Sequence, residues 1–193
     1  FISTVVTLPI VFLLLAPIEK SFGGGSLALG FIITAIVLVV SELLSKKAIS
    51  GEKLSESGSL VIKGVTNKQA AIMGVAQGLA GFPGISRSGA TISAGLLSGV
   101  NKEFVANYSF LMSIPIILAS MLYELYKYFT SYAPIGFSML ELSISFAITF
   151  IVGILCIKVM LKFIKQQKLY LFAYYLVALS LFLIINDKLL FWF

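Results

Sequence analysis

The sequence predicts an all-α protein that crosses a membrane several times. Of its 193 residues, 59% are hydrophobic and 11% are charged, and the mean hydropathy is +1.05. A soluble domain carries about 25% charged residues, so this chain has too little polar surface to face water on all sides. Five apolar runs are long enough to cross a bilayer, and a sixth apolar region is interrupted at its middle. We therefore expect five membrane-spanning helices and one re-entrant helical hairpin, which enters and leaves the membrane on the same side.

The composition also excludes several classes of function. The chain contains no histidine and one cysteine, Cys156, so it cannot form an internal disulfide or a Cys–His metal site. The net charge of +6 could indicate nucleic-acid binding. The lysines, however, lie in short segments between apolar runs, where membrane topology explains them better. We therefore expect no nucleic-acid partner.

The apolar runs define the order of the elements along a single transmembrane domain, residues 1–193. A spanning helix needs about 20 mostly apolar residues. The predicted spans are residues 1–18, 27–44, 104–127, 135–161 and 169–190. Residues 45–68 are rich in serine, glycine and lysine and are predicted to form a cytoplasmic loop.

The interrupted region covers residues 69–100 and is broken by the sequence G-F-P-G at residues 81–84. Each half is about a dozen residues long, which is too short to cross a bilayer. Breaks in a helix at membrane depth are tolerated where the backbone is buried in protein or lines a cavity. A re-entrant hairpin over residues 69–100 fits these observations, because neither half has to cross the bilayer and the interrupted backbone can lie inside the protein.

The distribution of lysines supports this hairpin. If the hairpin returns to the cytoplasmic side, ten lysines lie on that side and three lie outside. If residues 69–100 crossed the membrane instead, the bias would disappear, because six lysines would lie on one side and seven on the other. The ten lysines are Lys46, Lys47, Lys53, Lys63, Lys68, Lys102, Lys158, Lys162, Lys165 and Lys168, and the three are Lys20, Lys127 and Lys188.

The stretch G-F-P-G-I-S-R-S-G-A-T, residues 81–91, combines helix breakers with groups that bind anions. The second half-helix is predicted to begin near Ser86, where free backbone N–H groups and the helix dipole favour negative charge. Arg87 is the only arginine and offers a planar set of donors that matches phosphate oxygens. Ser88 and Thr91 add hydroxyl groups on the same side of the helix. This pattern predicts a phosphate site.

The backbone of the same stretch is expected to complete the site. The missing side chains of Gly84 and Gly89 would let an anion approach the backbone, and the amides of Ser88, Gly89 and Ala90 would bind it. The alternatives are that the hydroxyls only cap the helix and that Arg87 forms a structural ion pair. An ionisable group at membrane depth favours a functional role.

The run A-I-M-G-V-A-Q-G-L-A-G-F-P-G-I-S-R-S-G-A-T, residues 71–91, resembles a signature of the undecaprenyl-diphosphate phosphatase (bacitracin-resistance) family. The likeness continues through N-Y-S-F-L-M-S-I-P-I, residues 107–116, to the C-terminus. The resemblance implies a plasma-membrane enzyme that hydrolyses a polyprenyl diphosphate to the monophosphate and phosphate, recycling the carrier lipid. It also implies two inverted repeats, an active site open to the outer face, and a divalent cation, Mg²⁺ or Ca²⁺.

By this resemblance, Arg87, Ser86 and Thr91 are the catalytic candidates. Arg87 would bind the diphosphate and neutralise the charge that develops on the transferred phosphoryl group. Ser86 lacks a neighbouring base, so it is not assigned as the nucleophile. The predicted diphosphate-binding residues are Gly84, Ser86, Arg87, Ser88, Gly89, Ala90 and Thr91.

The likeness leaves part of the family pattern unmatched. The family carries a Glu-x-x-x-Glu pair and a Ser/His stretch on its first hairpin, and the matching positions here are Gln77 and Gly81. Residues 1–44 are expected to be the remainder of the first repeat, and residues 69–190 the complete second repeat. Glu124 and Glu141 are expected to be interfacial, so no metal ligand is predicted in the chain. We expect the catalytic half to precede residue 1; a degenerate homologue that binds without cleaving is the alternative.

Two rival functions remain open. A carrier-lipid transporter or flippase is also built from inverted repeats with broken helices. A non-catalytic membrane subunit would pair Arg87 with a carboxylate of another chain. The expected partners are a polyprenyl diphosphate and the bilayer, with a homodimer left open.

Overall fold

The computed structural model describes residues 1–22, 26–51, 64–131, 138–165 and 169–190. These residues form α helices and turns without any β strand, as the sequence predicts. The helices are α1 (Ile2–Ser21), α2 (Ser26–Gly51), α3 (Asn67–Leu79), α4 (Arg87–Leu97), α5 (Lys102–Ser131), α6 (Met139–Lys165) and α7 (Leu169–Leu190).

Five of these helices, α1, α2, α5, α6 and α7, are long and apolar enough to cross a membrane, which confirms the predicted spans. The largest difference in bounds is at α2, which continues to Gly51 instead of ending at residue 44. No glycine or proline interrupts residues 45–50, which explains why the helix continues through this polar segment. The predicted start of the fourth span, residue 135, lies outside the described residues.

The helices pack around the two short ones. The helix α3 lies against α1 and α4, and α4 also contacts α2 and α5. The helix α2 pairs with α7, and α5 contacts α6. One apolar cluster joins all of these helices except α1, and it is formed by Ala35, Leu38, Met73, Ile92, Leu96, Val100, Val105, Ala106, Met112, Ile164, Leu169 and Ala173.

Several lysine-bearing helix ends meet at one end of the bundle. There the side chain of Gln69, near the start of α3, donates to the carbonyl of Ser98 (2.9 Å). Glu42 of α2 is buried, and its Oε2 accepts from the backbone N–H of Tyr170 at the start of α7 (2.9 Å). These contacts bring the start of α3 to the end of α4, and α2 near Glu42 to the start of α7.

The helix α6 differs from the others because, within its candidate span Met139–Ile164, only Ile164 near the end is buried inside the protein. Its first turn is capped locally, since the N–H of Ser138 donates to Glu141 (2.8 Å) and the N–H of Glu141 donates to Ser138 (3.2 Å). Glu141 is exposed at this helix start, consistent with the interfacial position expected for it. So large an apolar surface suits a hydrocarbon environment.

Candidate active site

The helical structure is interrupted between α3 and α4, at the position that the sequence predicts. Residues 80–86 form a turn between a 13-residue helix and an 11-residue helix that pack against each other. At about 1.5 Å per residue, each helix is roughly 16–20 Å long, shorter than the hydrocarbon core of about 30 Å. A single unbroken rod over this region is therefore excluded.

Two hydroxyl groups of α1 fix the position of α3. Ser3 donates to the carbonyl of Ala70 (2.8 Å), and Thr7 donates to the carbonyl of Gly74 (2.9 Å). A Cβ atom on Gly74 would lie 2.7 Å from the carbonyl oxygen of Ser3, so this glycine allows the close approach. The start of α3 is thus level with the start of α1, and α1 continues past the end of α3.

The turn lies directly against α2. Gly84 has a φ of 80°, and a Cβ atom there would lie 2.2 Å from the carbonyl oxygen of Leu27. A Cβ atom on Gly30 would lie 2.2 Å from the carbonyl oxygen of Pro83. Backbone atoms of α2 therefore fill the space that the missing side chain of Gly84 leaves, and the role of Gly84 in binding a diphosphate stays a prediction.

The start of α4 is capped by Ser86, as its predicted position indicates. The Oγ of Ser86 accepts from the N–H of Gly89 (3.1 Å), and the N–H of Ser86 donates to Thr34 of α2 (3.0 Å). The N–H of Ala90 donates to the carbonyl of Ser86 (2.8 Å). Two of the three amides expected to bind an anion are therefore engaged within the helix end, which leaves that of Ser88.

Gly89 also differs from expectation, since its missing side chain does not face open space. A Cβ atom there would lie 3.1 Å from the side chain of Ser86 and 3.3 Å from that of Thr34. Gly89 is buried, and its small size lets α4 pack beside α2. The missing side chain of Gly89 therefore serves helix packing, and its role in binding a diphosphate stays a prediction.

Thr91 is buried, with 2% of its surface exposed. Its hydroxyl bonds to the carbonyl of Arg87 (3.0 Å) and to the hydroxyl of Ser109 on α5. On the opposite side of α4, Ser41 donates to Ser93 (3.0 Å). These hydroxyl pairs hold α4 between α5 and α2.

Arg87 is exposed and lines a cavity of about 480 Å³ between α1, the α3–α4 turn and α5. We call this space the arginine cavity. Its lining residues are Leu8, Val11, Phe12, Leu15, Ile18, Glu19, Phe22, Gln77, Gly81, Arg87, Ile116, Ala119, Ser120, Tyr123 and Glu124. The cavity therefore combines one guanidinium, two carboxylates and an extensive apolar surface.

Three polar residues of the arginine cavity are not among the predicted site residues. Gln77 is 2% exposed; its side chain accepts from Thr7 (3.2 Å) and donates to the carbonyl of Met112 (3.3 Å), so it joins α1, α3 and α5. Glu124 was expected to be interfacial only, but it lines the cavity together with Glu19. Glu124 is spaced four and eight residues from other cavity-lining residues of α5, so it lies on the same helix face as they do. This spacing is the sequence pattern that could have indicated its place in the cavity.

The fold and the site define a polytopic helical membrane protein with a candidate anion-binding site inside its helix bundle. The profile of one family, described as bacitracin resistance protein BacA, matches residues 1–182. The chain belongs to this family, which confirms the resemblance seen in residues 71–91.

Curated relatives support the same assignment. A protein named undecaprenyl-diphosphatase from Methanosphaera stadtmanae is 40% identical over 163 residues, which are 83% of this chain and 54% of the relative. One from Methanothermobacter thermautotrophicus is 41% identical over 162 residues, 81% of this chain and 82% of the relative. One from Chloroherpeton thalassium is 36% identical over 154 residues, which are 79% of this chain and 53% of the relative. The chain thus spans about half the length of the first and third relatives.

Proposed function

We propose that the protein acts in the hydrolysis of a polyprenyl diphosphate to the monophosphate and inorganic phosphate, which recycles a carrier lipid. The observation that carries the proposal is Arg87, which begins α4 and lines a cavity whose walls are mainly apolar. The guanidinium suits a highly charged head, and the apolar surroundings suit a ligand whose head is attached to hydrocarbon. The relatives named undecaprenyl-diphosphatase support the same reaction.

Arg87 binds the diphosphate in this proposal. Its guanidinium can donate two parallel hydrogen bonds to phosphate oxygens, and the dipole of α4 adds to the attraction. Such groups lower the barrier most when they face charge that grows in the transition state. The amide of Ser88 and the hydroxyl of Ser86 complete the binding groups. The Oγ of Ser86 accepts from the N–H of Gly89, so its own hydrogen can be donated to the phosphate. Thr91 acts as a positioning residue because its hydroxyl is bonded to α5.

We place the helix pair α3–α4 as a re-entrant hairpin in the plasma membrane, entering from the cytoplasmic side, with the arginine cavity open to the outer face. Two observations support this placement. The two helices are too short to cross, and α1 and α5 extend beyond the turn. The helix ends that carry most lysines meet at the opposite end, which the positive-inside rule assigns to the cytoplasm. In this proposal the hairpin, α5, α6 and α7 form one complete repeat of an inverted pair, with α1 and α2 belonging to the other.

A divalent cation, Mg²⁺ or Ca²⁺, also belongs to this proposal. Within the described residues, no three acidic, cysteine or histidine side chains come together. Mg²⁺ is commonly held by one or two carboxylates together with the phosphates of a substrate. Glu19 and Glu124 supply two carboxylates to the arginine cavity, so they fit that donor set once a diphosphate is present.

Substitution of Arg87 tests the proposed reaction. We expect Arg87→Ala to reduce phosphate release from undecaprenyl diphosphate by about 100-fold or more, the usual effect of removing a transition-state donor. We expect Arg87→Lys to be nearly as impaired, because an ammonium group cannot form the paired hydrogen bonds. The measurement is phosphate release by the purified full chain in detergent or liposomes.

The matched control is Lys127→Ala, which removes a cation from α5 that does not line the arginine cavity. It should keep the wild-type rate. Wild-type rates in both Arg87 variants would contradict the diphosphate role of Arg87. If the unmodified protein binds the lipid but releases no phosphate, the transporter alternative replaces the hydrolase.

A further inference from the structure

A second cavity, of about 420 Å³, lies among α4, α5, α6 and α7. We call it the α6 cavity. Its lining residues are Ser88, Phe110, Leu155, Cys156, Ile157, Val159, Met160 and Phe172. Apart from the hydroxyl of Ser88 and the thiol of Cys156, every lining side chain is a hydrocarbon or a thioether. The α6 cavity is therefore suited to an apolar ligand.

Two adjacent residues at the start of α4 line the two cavities. Arg87 lines the arginine cavity, and the next residue, Ser88, lines the α6 cavity. In a polyprenyl diphosphate, the hydrocarbon begins one oxygen atom away from the first phosphorus. A diphosphate bound by Arg87 and the amide of Ser88 therefore brings its first isoprene units to the edge of the α6 cavity.

We propose that the α6 cavity binds the isoprene units nearest to the diphosphate. This inference rests on the proposed function, and it assigns the lipid chain to α5, α6 and α7 instead of α1. The arginine cavity suits the hydrocarbon less well, because hydrocarbon there would remove water from the carboxylates of Glu19 and Glu124. Phe110 of α5 and Phe172 of α7 offer large apolar surfaces in the α6 cavity.

The exposure of α6 fits the rest of the lipid. A polyprenyl chain is much longer than a cavity of this size, so most of it must remain in the bilayer. Apart from Ile164 near its end, no residue of the α6 span is buried in the protein, so a chain that leaves the cavity along this helix stays in contact with lipid. The diphosphate and the hydrocarbon of the lipid thus occupy different cavities, the arginine cavity and the α6 cavity, on either side of the start of α4.

Photo-crosslinking locates the chain directly. The probe is a geranyl diphosphate that carries a diazirine on its second isoprene unit, added to the full chain in liposomes. We expect adducts within residues 155–160 and at Phe110, and excess unlabelled farnesyl diphosphate should suppress them. Suppressible adducts on Leu8, Phe12 or other residues of α1 would overturn the proposal. Adducts that farnesyl diphosphate does not suppress would show bulk lipid in the α6 cavity, and would overturn it as well.

A matched pair of substitutions on α6 provides the second test. Val159 lines the α6 cavity, whereas Val152 lies two turns away and does not; they are 51% and 50% exposed. We expect Val159→Phe to remove the suppressible adducts and to raise the KM for farnesyl diphosphate about tenfold, as extra bulk in an apolar pocket does. Val152→Phe should match the wild type.

The outcomes separate this inference from the proposed function. Wild-type adducts and KM in Val159→Phe would overturn the chain assignment while leaving phosphate release intact. Conversely, suppressible adducts on α6 in a protein that releases no phosphate would support the binding site and contradict the hydrolase.

Discussion

At the scale of single residues, two described glycines adopt a left-handed backbone conformation in very different surroundings. Gly84 has a φ of 80° and Gly99 a φ of 83°. A Cβ atom on Gly84 would collide with the backbone of α2, whereas nothing lies within 4 Å of a Cβ atom on Gly99. A substitution at Gly99 therefore measures the free-energy cost of the left-handed conformation alone. A substitution at Gly84 measures that cost together with the loss of the close contact between the turn and α2.

We therefore expect Gly84→Ala to be far more damaging than Gly99→Ala. The left-handed conformation costs an alanine about 1–2 kcal/mol at either position. At Gly84, overpacking against α2 adds about 1–3 kcal/mol or more. Thermal denaturation in detergent measures both variants, and phosphate release should fall only for Gly84→Ala. Equal melting temperatures would contradict the close contact between the turn and α2.

At the scale of elements, α4 is held by its cap and by hydroxyl pairs on two sides. Ser86 caps its start, Thr91 bonds to α5, and Ser93 bonds to α2. In an apolar environment, hydrogen bonds between helices and small residues at their interface provide the association that the hydrophobic effect cannot. These contacts fix the direction of the first turn of α4, and with it the position of Arg87.

Ser86 combines capping with a proposed role in binding, and two substitutions separate these roles. Ser86→Asp keeps a good cap for the N–H of Gly89 but adds negative charge next to the phosphate site. We expect it to melt within a few degrees of the wild type and to lose phosphate release. Ser86→Ala should cost about 1 kcal/mol in stability through the lost cap.

The control for this pair is Thr66→Ala, which removes the cap of α3 at the lysine-rich end. Its stability should fall by a similar amount, whereas phosphate release should be unchanged. An active Ser86→Asp protein would contradict the placement of the phosphate at the start of α4.

At the scale of the whole molecule, the side on which each loop lies decides between a re-entrant hairpin and a crossing one. Asn101, between α4 and α5, is exposed and distinguishes the two topologies. We expect cysteines at Asn101, Ser55 and Gln166, each in a Cys156→Ala background, to react with an impermeant maleimide only from the cytoplasmic side. Ser55 and Gln166 lie outside the described residues.

A cysteine at Lys127, near the opposite end of α5, is the control and should react only from outside. Labelling at Asn101 from outside would show that residues 69–100 cross the membrane, and would remove the basis of the proposed site.

Much of this architecture follows from local sequence. Hydropathy locates the five spans, and Pro83 with its neighbouring glycines locates the break. The start of α4 is predictable because serine is a strong capping residue. Contacts between distant segments are not predictable in this way: which helix lies against Gly84, and which carboxylates approach Arg87, depends on helix packing. The contact of Gly84 with α2 was not predicted for this reason, and Gln77 and Glu124 were missed as cavity residues.

The contact between the turn and α2 has a consequence for the depth of the reaction. Lipid bilayers differ in thickness, and spanning helices adapt by tilting, while the lipid thins or thickens around them. The height of Arg87 depends on Gly84 touching the backbone of α2 near Gly30, a contact between protein atoms that no lipid mediates. In the proposed membrane placement, a change in bilayer thickness is therefore expected to alter the tilt of the spanning helices before it alters the depth of the guanidinium.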